Sequence, residues 1–161
     1  MRFTTKCKYG LRAVLEIASK DELGEKIKRK VISKNQNIPV SYLENILILL
    51  KKGGIINSSR GVNGGYCLAR PAKEISLYDI ISILETKDAL EECISDSGNC
   101  AFNDYCKLKL VWQSINDLRK KLLSKIKISD VISDRNSCIP CFKNDVEKEL
   151  LEIMTKNNIL K

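Results

Sequence analysis

Asn37-Ile38-Pro39-Val40-Ser41-Tyr42-Leu43-Glu44-Asn45-Ile46-Leu47-Ile48-Leu49-Leu50-Lys51-Lys52-Gly53-Gly54 is the stretch whose reading decides the fold. Asn37-Ile38-Pro39 is a break, and Pro39 suits the first turn of the helix that follows, where no amide hydrogen is needed. That helix is predicted over residues 40–52, with Leu43, Ile46, Leu47 and Leu50 at the three-and-four spacing of one buried face. Gly53-Gly54 ends it, because glycine tolerates a left-handed cap. Forward of this point, Ile55-Ile56-Asn57-Ser58 reads as a short strand and Tyr66-Cys67-Leu68-Ala69 as its return. Between them Arg60-Gly61-Val62-Asn63-Gly64-Gly65 is a turn rich in glycine and asparagine. Backward, residues 27–36 carry a short helical pattern (Ile27, Val31, Ile32) behind a charged, glycine-containing stretch at 20–26. Residues 4–19 carry a longer one, with Leu11, Val14, Leu15 and Ala18 at helical spacing and Tyr9 and Ile17 at the flanks. Two helices across a tight break, then a glycine-rich hairpin, make a winged helix-turn-helix.

The rest of the chain extends a mainly α fold with a small β-hairpin wing. Ser76 can cap a helix at 77–86, with Asp79 in its first turn, where a carboxylate meets the positive end of the helix dipole. A cysteine-containing loop covers 91–106. A long amphipathic helix is expected over 106–126, bearing Leu108, Val111, Trp112, Ile115, Leu118 and Leu122, with Trp112 read as packing. Ser129-Asp130-Val131-Ile132 reads as one further helical turn. The tail holds Cys138-Ile139-Pro140-Cys141 and a last amphipathic helix near 144–156.

The chain has 161 residues, 43% hydrophobic and 30% charged, which suits a folded domain with its own core. No run approaches the ~20 apolar residues that span a bilayer, and the N-terminus lacks a secretory apolar core. A cytoplasmic protein without a membrane partner is expected. The net charge is +8, distributed unevenly. Residues 1–70 carry 14 Lys/Arg against 5 Asp/Glu, whereas residues 71–161 carry 14 against 15. The excess positive charge therefore sits with the helix-turn-helix, as a phosphate-facing region requires. There is no histidine and no evident nucleophile–base pair, which argues against a hydrolytic enzyme.

Helix 40–52 is narrow enough to enter a major groove, and its early residues Val40, Ser41, Tyr42, Glu44 and Asn45 would reach base edges or phosphates. Asparagine can bond adenine through two contacts. Arg60, followed by small residues, suits insertion into a narrow minor groove. Lys28, Arg29, Lys30, Lys51 and Lys52 can neutralise phosphates without reading sequence. Each of these signals has a blander reading, such as a solvated lysine face or ordinary turn glycines. Their ordered combination is what points to double-stranded DNA.

Seven cysteines are unusual for a reducing compartment, where grouped cysteines indicate metal or redox chemistry. Cys93, Cys100 and Cys106 form C-x6-C-x5-C on a stretch containing Ser97-Gly98-Asn99. Thiolates are the preferred ligands of iron–sulfur clusters. Cys138 and Cys141 form a C-x2-C pair, open to zinc ligation with the triad, to dithiol redox chemistry, or to no role. Cys67 alternates within a strand and is expected in the core.

Tyr42-Leu43-Glu44, Leu50, Gly53-Gly54 and Arg60-Gly61 through Gly64-Gly65-Tyr66 resemble the signature of the Rrf2 superfamily of bacterial regulators. The opening Met1-Arg2-Phe3-Thr4, with Lys6 and Tyr9, is similar to that family's N-terminus, and the likeness covers about residues 1–132. The cysteine spacing is similar to the family's C-x5-C-x5-C, in the branch of the iron–sulfur cluster regulator and the nitric-oxide-sensing repressor. The resemblance implies a homodimer built on helix 106–126 and a palindromic operator. It implies DNA contacts from Ser41, Tyr42 and Asn45 and from Arg60 in the wing, with Glu44 selecting operator class; Asn63 and Gly64 beside Arg60 are further candidate contacts. It also implies a 2Fe–2S or 4Fe–4S cluster on Cys93, Cys100 and Cys106. Val62-Asn63 stands where the family more often has proline-glycine. Lys109 and Lys8 stand where the two branches place a histidine or aspartate fourth ligand, which leaves Cys7, Asp104, Cys138, Cys141 or a bound thiol for that place. The expected organisation is a DNA-binding domain at 1–86, a cluster-binding loop at 87–107, a dimerisation helix with a short following helix at 108–134, and a tail at 135–161. The expected function is a transcription regulator controlled by its cluster, the alternative being a cluster-free regulator controlled by a protein partner or by thiol or zinc chemistry.

Overall fold

The computed structural model describes residues 3–22, 24–61, 63–85 and 106–133. In chain order these form α1 (Thr5–Asp21), α2 (Arg29–Gln36), α3 (Val40–Lys52), β1 (Ile56–Ser59), β2 (Gly65–Leu68), a 3-10 turn (Ala72–Glu74), α4 (Leu77–Leu84), α5 (Leu108–Lys125) and α6 (Ile128–Ser133). The chain divides into two units, Met1–Thr86 with Ser124–Arg135, and Lys87–Leu123 with Asn136–Lys161.

The first unit is built around α1, which packs against α2, α3, α4, β2 and α6. Its fully buried side chains include Ile17, Ile32, Ile38, Leu43, Ile46, Leu47, Leu50, Ile75, Ile80 and Leu84. Each such residue withdraws apolar surface worth ~1.5–3 kcal/mol. This burial is what holds α2 and α4, since helices of 8 residues do not persist alone. Gly10 sets the α1–α4 distance: a Cβ there would lie 2.1 Å from Leu84 Cδ1. The core stripe of α1 is Cys7, Gly10, Ala13, Val14, Ile17 and Ala18, while Leu11 and Leu15 are only half-buried. The expected face is thus rotated, because neighbours on several sides widen the stripe that α1 must bury.

Local chemistry ends these helices where their sequences indicate. Thr4 Oγ1 accepts the Cys7 N–H at 3.1 Å and caps α1. α4 carries a full capping box, with the Asp79 N–H on Ser76 Oγ at 3.1 Å and the Ser76 N–H on Asp79 Oδ2 at 2.9 Å. Burial pushes the Asp79 carboxyl up, but hydrogen bonds from Ser76 and the charges of Arg70 and Lys127 outweigh it and hold the group below the ordinary aspartate range. Pro39 precedes α3 with an extended backbone (φ −54°, ψ 133°), so the first helical residue is Val40. At the other end Gly54, with φ +69°, takes the left-handed position.

The hairpin is antiparallel, pairing Ile56 with Leu68, Asn57 with Cys67, Ser58 with Tyr66 and Ser59 with Gly65. A third segment joins its base. The Ile27 N–H donates to the Tyr66 carbonyl at 3.0 Å, and the Tyr66 N–H donates to the Ile27 carbonyl at 2.9 Å. Ile27, expected at the start of a helix over 27–36, is therefore a bridge residue, and α2 begins at Arg29. Pairing with a strand 39 residues further along satisfies its backbone and overrides the local helical spacing. Gly65 permits the approach, since a Cβ would sit 2.8 Å from the Ile27 oxygen.

The segment after α5 belongs to the first unit. Leu77 N–H donates to the Ile126 carbonyl and Ile128 N–H to the Ile75 carbonyl, both at 2.9 Å, and α6 packs on α1 and the 3-10 turn. α5 is a helix of 18 residues in which only Ser114 and Asn116 are buried. Its Leu108, Leu110 and Ile115 are 56%, 50% and 40% exposed.

Candidate nucleic-acid interface

α3 separates its residues cleanly. Leu43, Ile46, Leu47 and Leu50 face the core, and at 100° per residue Ser41, Glu44, Asn45, Ile48 and Lys52 fall on the opposite side. All five of these are exposed. Tyr42 lies to one side of the stripe. Its ring meets Tyr9 edge-on at 5.9 Å, and the Arg12 guanidinium stands 5.8 Å over the Tyr9 ring.

The turn that aims α3 is held from α1. Asn37 takes a left-handed backbone (φ 50°), which asparagine tolerates. Just before it, the Gln36 amide donates to Glu16 at 2.7 Å, the Asn35 amide donates to the other Glu16 oxygen at 2.7 Å, and Arg12 donates to Gln36 at 3.1 Å. Ser33 Oγ donates to the Ile38 carbonyl at 2.6 Å across the turn.

The cations do not behave alike. Lys28 and Lys30 are exposed around the start of α2. Arg29, grouped with them in the sequence, is in an ion pair with Glu44 of α3. Lys51 donates to Ser58 Oγ at 2.8 Å, tying the end of α3 to the wing. Lys26 donates to Ser59 Oγ at 3.1 Å and was not among the residues singled out from sequence. Its signal was the alternation Lys26-Ile27-Lys28, a strand pattern with charges outward. Ile48 was likewise missed, an apolar residue on a polar stripe.

At the wing tip Arg60, Gly61 and Asn63 are exposed, and Gly61 has φ +106°. Gly64 closes the turn, its N–H donating to the Gly61 carbonyl at 3.0 Å, with no room for a Cβ, which would lie 2.5 Å from the Ser59 oxygen. Between the tip and the chain before α2 lies an open cleft of about 510 Å³ lined by Gly24, Glu25, Lys26, Lys28, Asn63 and Gly64. Helix stripe, wing tip and basic cleft thus present small, polar and cationic groups that the core does not need.

Of the cysteine triad, Cys106 is described: a free, half-buried thiol immediately before α5. Cys93 and Cys100 lie outside the described residues, as do Asp104, Cys138 and Cys141. Cys7 is fully buried, and burial together with the charge and hydrogen bond of Glu85 pushes its thiol up to about 12. Glu85 is itself fixed by the Thr4 N–H at 2.8 Å and the Thr4 hydroxyl at 3.0 Å. Cys7 thus lies in the core beside Glu85, in surroundings that favour the neutral thiol. Cys67 is half-buried on β2, less enclosed than a core position. Among the described residues, no helix is long and apolar enough to cross a membrane.

Residues 3–134 match the family model described as Rrf2, iron-dependent transcriptional regulator. The chain is 30% identical over 135 residues to the HTH-type transcriptional regulator IscR of Escherichia coli, covering 84% of this chain and 82% of that one. Among solved structures, IscR of T. potens is similar with a TM-score of 0.66 and 29% identity, over 83% of this chain and 88% of that one. CymR (YrzC), described as the global cysteine regulator of B. subtilis, is similar with a TM-score of 0.66 and 30% identity, over 83% of this chain and 97% of that one. Helices around a two-stranded wing, in a chain related to these regulators, lead to one conclusion: the chain belongs to the Rrf2 family of winged-helix transcriptional regulators.

Proposed function

We propose that the chain works in the cytoplasm as a homodimer that binds a palindromic DNA operator, with binding controlled by an iron–sulfur cluster on Cys93, Cys100 and Cys106. The observation that carries the DNA reading is the outward stripe of α3, exposed beside a sealed core face. In this reading Ser41, Tyr42, Glu44 and Asn45 lie in the major groove, and Arg60, Asn63 and Gly64 approach the minor groove. Lys28 and Lys51 neutralise phosphates. Arg29 acts on Glu44, keeping a carboxylate next to phosphates neutralised. The exposed apolar residues of α5 support a second copy of the chain as its covering.

The cluster reading is supported by Cys106, a free thiol at the entrance to α5, and by a family described as iron-dependent. When bound, a cluster would supply a group sensitive to iron supply, oxidant or nitric oxide. The chain's own part is to grip it through cysteines that directly precede the dimer helix. A second reading, a cluster-free regulator controlled by a protein partner or by thiol or zinc chemistry, is favoured by the likeness to CymR and by Lys109 and Lys8 at the fourth-ligand positions.

Anaerobic reconstitution, followed by absorbance and iron-to-protein ratio, separates the two. Visible charge-transfer bands that Cys93→Ala, Cys100→Ala and Cys106→Ala each abolish uphold the cluster. A colourless, iron-free wild type upholds the second reading. Binding to a palindromic duplex, with log affinity falling linearly with log salt, tests the part that both share.

A further inference from the structure

We propose that Ile48 reads the 5-methyl group of a thymine in the major groove, and so sets base preference; this rests on the DNA-binding reading above. Ile48 is 48% exposed although three neighbours on its helix, Ile46, Leu47 and Leu50, are almost completely enclosed. The core therefore has no place for it. It lies on the outward stripe, seven residues after Ser41, three after Asn45 and four before Lys52, all exposed and polar. It is a single apolar group among donors, acceptors and cations.

That isolation tells a base contact from a protein-docking patch. Partner proteins need contiguous apolar surface. The other exposed large apolar residues of α3 are Tyr42 and Val40, about 9 and 12 Å away along the axis and about 120° and 80° around it. The major groove, in contrast, offers one apolar group on its base edges, the thymine methyl. A β-branched side chain in a helix has essentially one χ1 rotamer, so Ile48 presents its methyl groups without ordering cost. Glu44, one turn earlier on the same stripe, is drawn to Arg29 on α2. Asn45 stands about 4.5 Å back along the axis, so the thymine falls within one or two base pairs of the one Asn45 contacts.

The test uses the full chain, prepared anaerobically, and a duplex pool with randomised half-sites. Wild type should enrich thymine at one position per half-site, and Ile48→Ala should lose that preference while keeping the others. In the selected duplex, uracil for that thymine removes only the methyl group. It should weaken wild type about 4-fold per half-site, the factor that ~0.8 kcal/mol for one buried methyl-sized group produces. Ile48→Ala should bind both duplexes equally, and Ile48→Val should keep most of the difference. The same enriched base and the same uracil penalty in Ile48→Ala overturn the assignment. So does a wild type indifferent to uracil at every position. If no duplex is enriched by any of the proteins, the DNA-binding reading falls and this one with it.

Discussion

Leu43, Leu47 and Leu50 in the first unit are sealed from water, whereas Leu108, Leu110 and Ile115 on α5 are 40–56% exposed. The two regions are similar in helical character and opposite in how they dispose of apolar surface. In the first unit, α1 supplies a wall for α2, α3, α4, β2 and α6, and capping chemistry finishes the ends of α1 and α4. On α5 only a serine and an asparagine are buried, so its apolar residues do not serve a core of that kind. One region is self-sufficient as a single chain; the other carries a surface that a second copy is proposed to cover.

The contrast can be broken at its two described end thiols. Burial against Glu85 raises the Cys7 thiol from 9.0 to about 12, so far less of it is thiolate in the folded chain than in the unfolded one. In a variant retaining only Cys7 and Cys106, a thiol reagent at pH 8 should label Cys106 quickly and Cys7 only on unfolding. Rapid labelling of both would mean that the first unit opens readily. The same shift carries a pH dependence: a raised folded value contributes stability that is present below pH 9.0 and is lost as pH rises towards about 12. Cys7→Ala should flatten the alkaline limb of the unfolding curve.

Core truncation measures the contrast in free energy. Leu47→Ala should cost ~2–5 kcal/mol in urea unfolding, while Leu110→Ala should stay within about 0.5 kcal/mol at concentrations where the chain is monomeric. Equal losses would place Leu110 in a core. The reverse asymmetry is expected for assembly: Leu110→Glu with Ile115→Glu should shift sedimentation from dimer to monomer with helicity unchanged.

Smaller effects sharpen the picture at the helix ends. Ser76→Ala removes a cap and should cost about 1 kcal/mol. Asp79 has a lowered folded value, so its contribution is present above the ordinary aspartate pKa of ~3.9 and is lost as pH falls through the folded one. Asp79→Asn should therefore reduce stability at neutral pH and converge with wild type in acid. Arg29→Ala should change stability by no more than about 1 kcal/mol, because both members of its pair with Glu44 are substantially exposed. Its effect should appear in DNA affinity, and Glu44→Ala should restore part of the loss.

Much of this was legible where the cause is local. The core face of α3 followed from leucine and isoleucine spacing, the end of α3 from its glycines, and the α4 cap from Ser76 and Asp79. What failed was non-local. Ile27 carried a helical spacing, and nothing near it announces Tyr66 as its partner. Leu11 and Leu15 looked central because a helix stripe is judged as if one neighbour covers it. The Arg29–Glu44 pair joins two helices across a turn, so the sequence shows two charges without their meeting. Cys7 was considered as a ligand from its place beside Lys8; its burial against Glu85 is set by residues far away in the chain. For the interface, residue types marked the stripe, but exposure was needed to separate Ile48 from the other aliphatic residues of α3.

The grip of Arg12 and Glu16 on Asn35 and Gln36 carries a mechanical consequence. A joint needs slack, and the α2–α3 turn has little on its α1 side. These bonds tie α1 to the end of α2 just before α3, so in the proposed reading a signal that tilts the three helices together would leave the projection of α3 unchanged. Regulation of such a reader would change how tightly it holds its whole operator while leaving its alphabet the same.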